Sequence, residues 1–173
     1  VLRLRAATAE DRAAVATIHH RGWTESYRGL LPAAHLDGLS YEACYERWGG
    51  LPDGATTVIV GEVDGQAIGF CSYGTSADGD ARAAGEIWDL WVLPDHRGAG
   101  IGSRLLRHAL GDLARRHRAA VVWVLAANLP GRRFYEREGG VRDGVSRTQP
   151  VDGGSMTDVR YLFDLRGLLS HER

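Results

Sequence analysis

The chain has 173 residues with 21 basic and 22 acidic side chains, enough length for one apolar core and a charge balance that points to neither nucleic acid nor a membrane surface. No apolar run approaches the ~20 residues that span a bilayer, and the opening Val1-Leu2-Arg3-Leu4-Arg5 does not read as a signal peptide. Cys44 and Cys71 lack metal or redox spacing and suit small buried residues in a reducing cytosol.

In chain order, the alternation over residues 1–5 predicts an edge strand. Thr8-Ala9-Glu10-Asp11 predicts a helix start, with Thr8 as cap and acids in the first turn. Val15, Ile18, His19 and Trp23 continue its inner face, and Leu30-Leu31-Pro32 ends it. Short helices are expected over 33–36 and 41–48, then a hairpin of strands 56–63 and 67–73 across Asp64-Gly65. The polar stretch 75–84 predicts a mobile loop. Residues 86–93, rich in aromatic and β-branched side chains, predict a strand that stops at Pro94-Asp95. Ile101, Leu105, Leu106, Ala109, Leu110 and Leu113 recur at helical spacing. A strand over 120–125, a helix after Asn128-Leu129-Pro130, and closing strands 140–147 and 159–165 complete the chain, the last two joined by a flexible Asp152-Gly153-Gly154 stretch. The order predicts a single α/β domain over residues 1–173, a mixed sheet flanked by helices.

Between the strand 86–93 and the next helix lies Arg97-Gly98-Ala99-Gly100-Ile101-Gly102-Ser103. Glycines there let the backbone approach a bound group, and the first N–H groups of the helix face that group with the positive end of the macrodipole behind them. Such a terminus binds phosphate or pyrophosphate without a charged side chain. A Walker A loop needs a lysine after its second glycine. All 21 basic residues here are arginine, which excludes that loop and also Schiff-base chemistry at a lysine of the chain. A dinucleotide fingerprint needs G-x-G-x-x-G at the strand end and a carboxylate after the next strand. Here the glycines run Gly98-x-Gly100-x-Gly102 after the intervening Pro94 to Arg97, and the next strand finishes in Ala126-Ala127-Asn128. The seven histidines form no metal-ligand constellation, and the adjacent His19 and His20 point to different sides of a helix.

The spacing Arg97-x-x-Gly100-x-Gly102 does fit one pattern when read with its neighbours. Leu90-Trp91-Val92 precede it; the strand 121–125, Asn128 and Phe134-Tyr135-Glu136 follow it. Over roughly residues 84 to 140 the chain resembles the Gcn5-related N-acetyltransferase (GNAT) superfamily. That resemblance implies a mixed, mostly antiparallel central sheet with parallel strands splayed at its centre, flanked by helices. It implies acetyl-coenzyme A as co-substrate, no metal, and direct attack by a primary amine within a ternary complex. The motif region holds no cysteine, which argues against an acetyl-cysteine intermediate. A non-catalytic acyl-CoA-binding module with the same fold is the alternative.

Site roles follow from the same resemblance. The backbone of Leu90, Trp91 and Val92 would pair with pantetheine, the segment from Arg97 through Gly98, Ala99, Gly100, Ile101 and Gly102 to Ser103 would hold the pyrophosphate, and Asn128 would bond the pantetheine arm. Tyr135 would protonate the departing thiolate, a transfer between reference pKa values of ~10 and ~8.5. Out of context Tyr135 reads as a core aromatic beside Phe134, and Asn128 reads as an N-cap with proline just inside the helix; the roles are compatible. Glu86, six residues before Val92, is the expected general base. Asp89, which strict alternation puts on the opposite face of the strand, is the other carboxylate, and a water chain is a third route. Trp23, Tyr27 and Tyr73 are expected to wall the acceptor pocket, with Asp89 on its substrate side and Glu25 attracting an amine; Trp23 also reads as a core anchor. Some arginines among 104, 107, 115, 116, 118, 132 and 133 are expected at the coenzyme 3′-phosphate. The acceptor would be a small-molecule amine or a peptide or protein N-terminus, the location cytoplasmic, and the resemblance implies a homodimer. Gly131, in place of the usual alanine, and Gly139-Gly140, in place of a glycine-aromatic pair, depart from the family pattern.

Overall fold

The structure, a computed structural model, describes residues 1–51, 54–77 and 84–168. Its strands are β1 (Arg3–Ala6), β2 (Thr57–Val63), β3 (Gln66–Thr75), β4 (Gly85–Val92), β5 (Ala119–Leu125), β6 (Val141–Val151) and β7 (Gly154–Asp164). They make a seven-stranded sheet in the order β1-β2-β3-β4-β5-β7-β6. Every neighbouring pair is antiparallel except β4–β5. Helices α1 (Arg12–Tyr27), α2 (Ala33–Asp37) and α3 (Tyr41–Arg47) lie on one face; α4 (Ile101–Ala114) and α5 (Leu129–Arg137) lie on the other. The mixed sheet flanked by helices is therefore as expected. Among the described residues no helix is long and apolar enough to cross a membrane.

Local chemistry accounts for the elements. Ahead of α1 a 3-10 turn covers Ala9–Asp11, and the Asp11 carboxylate accepts the Thr8 N–H at 2.8 Å while Arg5 grips it through two nitrogens at 2.7 and 2.8 Å. Asp64 and Gly65 both have positive φ, 50° and 80°, the combination a two-residue type I′ hairpin turn requires. All six apolar residues of the periodic stretch in α4 are buried, the isoleucine and the four leucines each contributing roughly 1.5–3 kcal/mol if fully removed from water. That packing fixes the helix, and with it the glycine-rich loop, against the sheet.

Two boundaries differ from expectation. The closing strands run further than 140–147 and 159–165, their ladder continuing to Val151↔Gly154. The stretch read as a flexible joint is thus a two-residue turn at Asp152-Gly153. Pro150 sits within β6 without breaking it, because β6 is an edge strand and has one side free of ladder bonds. Residues 78–83 of the expected mobile loop lie outside the described residues; Thr75 ends β3.

The centre of the sheet is irregular in two ways. The parallel strands β4 and β5 pair only at Gly85↔Ala120, Glu86↔Val121 and Ile87↔Val122, so they part from Trp88 and Trp123 onward. On its other side β4 pairs Ile87 with Tyr73 and Asp89 with Ser72. Trp88 is therefore an extra residue, a β-bulge. A bulge reverses the alternation beyond it. Ile87, Leu90 and Val92 pack on the α4 side, whereas Trp91 packs with α1. Asp89 and Glu86 consequently share the α1 face, a correction to the opposite faces that strict alternation predicts.

Candidate functional site

Where β4 and β5 diverge, a cavity of about 750 Å³ opens, running from the glycine-rich loop to the bulge. Leu90, Trp91 and Val92 line it from β4, Arg97, Gly98, Gly100, Ile101, Gly102 and Ser103 from the loop and α4, and Asn128 and Tyr135 from the next connection and α5. Tyr27 and Asp89 line it as well. Ala99 does not. Most of the motif that was scattered through the sequence thus meets around one space.

The backbone of the loop has the form that suits an anion. Gly98 and Gly100 have φ of 80° and 75°, and an added Cβ at either would meet nothing within 4 Å; the open side of the loop leaves room for a ligand. The first α-helical bond of α4 is given by Arg104 to the Gly100 carbonyl, so the N–H groups of Ile101, Gly102 and Ser103 precede it and face outward at the helix start. Arg97 turns back instead of reaching into the cradle. Its Nε donates to the Val92 carbonyl at 3.0 Å and its Nη2 to the Ser26 hydroxyl at 3.1 Å, tying the loop to β4 and to α1. A long ligand with a diphosphate fits on these grounds: cradle, cavity length, and an edge of β4 that lacks β5 as a neighbour.

Tyr135 is buried but borders the cavity. Burial pushes its phenol well above the ordinary value of 10.0, so the hydroxyl keeps its proton and can act as an acid. Its ring packs between Phe134, Tyr161 and Phe163 at centroid distances of 5.0 to 6.4 Å, which also satisfies the core reading. Asn128 is an N-cap: its Oδ1 accepts the Gly131 N–H at 3.1 Å.

The carboxylates separate by position, not by burial, since both are 8% exposed. Glu86 lies on the paired part of β4, where the Ser76 hydroxyl donates to it at 2.8 Å, and it is not among the residues lining the cavity. Asp89 lies past the split and does line it. Ser72 Oγ donates to Asp89 Oδ2 at 2.8 Å, Arg47 Nη2 donates to the same oxygen at 3.1 Å, and His19 Nε2 stands 3.7 Å from Oδ1. His19 Nδ1 accepts the Trp48 indole N–H at 3.1 Å, so a neutral His19 carries its proton on Nε2, facing Asp89. Burial, the largest influence, lowers the His19 pKa from 6.5.

Of the expected acceptor-wall residues, Tyr27 reaches the cavity and two do not. Tyr73 is 2% exposed and sits on the α4 side of β3, its hydroxyl donating to Asp112 at 3.2 Å; this corrects its placement in the acceptor wall. Trp23 packs behind the wall, 4.8 Å from Tyr27 and 6.4 Å from Trp91 by ring centroid. Glu25 lines the cavity, paired with Arg21 at 2.8 Å. Trp91 lies flat on α1, where a Cβ on Gly22 would come within 2.5 Å of Cε3; only glycine allows that approach. Trp88, Trp123 and Arg137 also line the cavity, and the sequence offered no motif for them. Arg107 is engaged with Glu138, and Arg132 with the Tyr161 hydroxyl and the Ala126 carbonyl.

The profile of the Acetyltransferase (GNAT) family matches residues 17–140. The chain is similar to an uncharacterised N-acetyltransferase of Archaeoglobus fulgidus, 36% identical over 138 residues that cover 78% of this chain and 88% of the relative. It is also similar to a protein of Mycobacterium tuberculosis named "probable N-acetyltransferase", 30% identical over 168 residues, 92% of each chain. Its fold is similar to the crystal structure of spermidine N-acetyltransferase from Vibrio cholerae in complex with CoA and spermine, with a TM-score of 0.71, 21% identity, and coverage of 97% of this chain and 98% of that one.

Proposed function

The chain belongs to the acetyltransferase (GNAT) family, and on that premise we propose that it carries an acetyl group from acetyl-CoA to a primary amine by direct attack within a ternary complex. One observation carries the reading: the β4–β5 cavity joins a backbone anion cradle, an unpaired strand edge and a protonated phenol. Acetyl-CoA bound there supplies the acyl group as a thioester.

The chain's own groups have separable tasks. The amides of Ile101, Gly102 and Ser103 hold the diphosphate. The free edge of β4 offers backbone N–H and C=O groups to the amide-bearing pantetheine arm, as a missing strand would, which limits the motion of the acyl carbon relative to the acceptor. Asp89 takes a proton from the ammonium. The freed nitrogen forms the new C–N bond as the C–S bond breaks, Tyr135 gives its proton to the departing sulfur, and the second proton that leaves the nitrogen as the amide forms passes to solvent, which reprotonates Tyr135. Glu86, which does not line the cavity, has no direct part in these steps.

Thermal melts with acetyl-CoA, CoA, NAD and ATP added singly test the binding half, and thiol release against a panel of amines tests the transfer half. Stabilisation by the two coenzyme A species, and amine-dependent thiol release, are the expected results. Stabilisation by NAD alone overturns the reading. Coenzyme binding with no thiol release from any amine would leave only a binding module.

A further inference from the structure

A second cavity of about 360 Å³ meets the first at Trp88 and Asp89, the residues common to both. It opens on the α3 side, with Arg47, Trp48, Leu51 and Ser72 among its lining. Its charged lining is one carboxylate and one guanidinium side by side. Asp89 is deep, its side chain 9% exposed, whereas that of Arg47 is 56% exposed. Among the described residues only Nη2 of Arg47 has a hydrogen-bond partner, Asp89 at 3.1 Å; the guanidinium carbon lies 5.3 Å from the centre of the Trp48 ring, and Nε and Nη1 make no hydrogen bond to a described residue.

Building on the acetyltransferase reading, we propose that this second cavity receives an α-amino acid with an apolar side chain, its ammonium on Asp89 and its carboxylate on Arg47. An α-amino acid carries its two charges on a single carbon, so it presents ammonium and carboxylate side by side. The adjacent Asp89 and Arg47 are the complementary arrangement, with a planar guanidinium fork suited to a carboxylate. A polyamine would instead set its further positive charges against Arg47, a like-charge contact that disfavours it. The indoles of Trp48 and Trp88 and the side chain of Leu51 give the remainder of the acceptor an apolar wall. Seated there, the α-ammonium passes one proton to Asp89 at the junction of the cavities, the nitrogen bonds to the acyl carbon as the C–S bond breaks, Tyr135 protonates the sulfur, and the second proton leaving the nitrogen passes to solvent, which reprotonates Tyr135.

The test is thiol release from acetyl-CoA with L-leucine and L-phenylalanine, each set against its carboxamide, the corresponding amine without the carboxyl group, and spermidine. Expected is a kcat/KM for the free acids roughly 10- to 100-fold above that for the carboxamides. Arg47→Gln should bring that ratio close to unity, and Arg47→Lys should keep part of it. Calorimetric titration of the same acids and carboxamides in the presence of CoA should rank them alike without turnover. Carboxamides equal to acids, a preference for spermidine, no binding of the acids, or a ratio that survives Arg47→Gln each overturns the proposal; the wild-type panel decides alone if the variant does not fold. Acetylation of carboxamides or spermidine would sink this inference and leave the acetyltransferase reading standing, whereas failure to bind acetyl-CoA would remove both.

Discussion

Asp89 draws its surroundings from three separate segments: Ser72 from β3, Arg47 from α3 and His19 from α1. None of these partners belongs to a motif, and no spacing rule links positions 19, 47, 72 and 89. The sequence made Glu86 the expected base because of its distance from Val92, but that count assumes a regular strand. Asp89, not Glu86, lies beyond the point where β4 leaves β5, and the extra residue Trp88 turns it to the α1 face. Asp89→Asn should therefore lower kcat by about 10²- to 10⁴-fold, whereas Glu86→Gln should cost no more than a few-fold; steady-state rates of thiol release decide between them. Tyr135→Phe should lower kcat over the same range of roughly 10²- to 10⁴-fold for a lost general acid, with an acetyl-CoA Kd from calorimetry that stays within a few-fold of wild type. The place of Tyr135 beside the cavity was legible from its distance to the loop and to Asn128.

At the scale of the element, the loop and α4 act together. Helical periodicity identified α4 from its six apolar positions, and the glycines ahead of it marked the loop that lines the cavity, so the placement of this segment was readable from the residues alone. Gly100 holds φ at 75° as the residue capping α4. Gly100→Val would impose a left-handed conformation on a β-branched residue, at a cost of roughly 1–2 kcal/mol, and would project a side chain into the open cradle. A urea titration should show the loss of stability, and calorimetry should show weaker acetyl-CoA binding, with no change in the rank order of acceptors. What the sequence did not disclose were irregularities that leave composition unchanged. A bulge has no residue signature of its own when the extra residue is a tryptophan in a run of strand formers. The β6–β7 turn was misjudged because Asp152, Gly153 and Gly154 read as a flexible break, although Asp152-Gly153 closes a tight turn and Gly154 pairs with Val151.

For the molecule as a whole, the order of elements and the placement of helices on two faces of a mixed sheet were recoverable, since each depends on hydrophobic period and local turn chemistry. The second cavity was not, because it arises only where α3, β3 and β4 meet. The same region makes stability depend on pH. A neutral His19 keeps the Trp48 bond through its Nδ1 lone pair, and burial lowers its pKa from 6.5 in the folded chain. The unfolded chain then binds the proton more readily, so the His19 contribution is complete above about pH 6.5 and declines as pH falls below it toward the depressed folded value. Wild type should lose more Tm between pH 7.5 and 5 than His19→Gln, in which nothing at that position titrates. Equal losses in the two proteins would contradict this assignment.

The surplus residue at position 88 also constrains how the gene can vary. From Asp89 to Val92 the strand is set one step out of phase with its first half. A single-codon deletion or insertion between 87 and 89 would invert that segment, turning Asp89 and Trp91 toward the leucines of α4 and presenting Leu90 and Val92 to α1. Paired changes in length preserve the phase. Homologues that keep this chemistry should therefore tolerate indels in the turns at either end of β4, and within the strand only in twos.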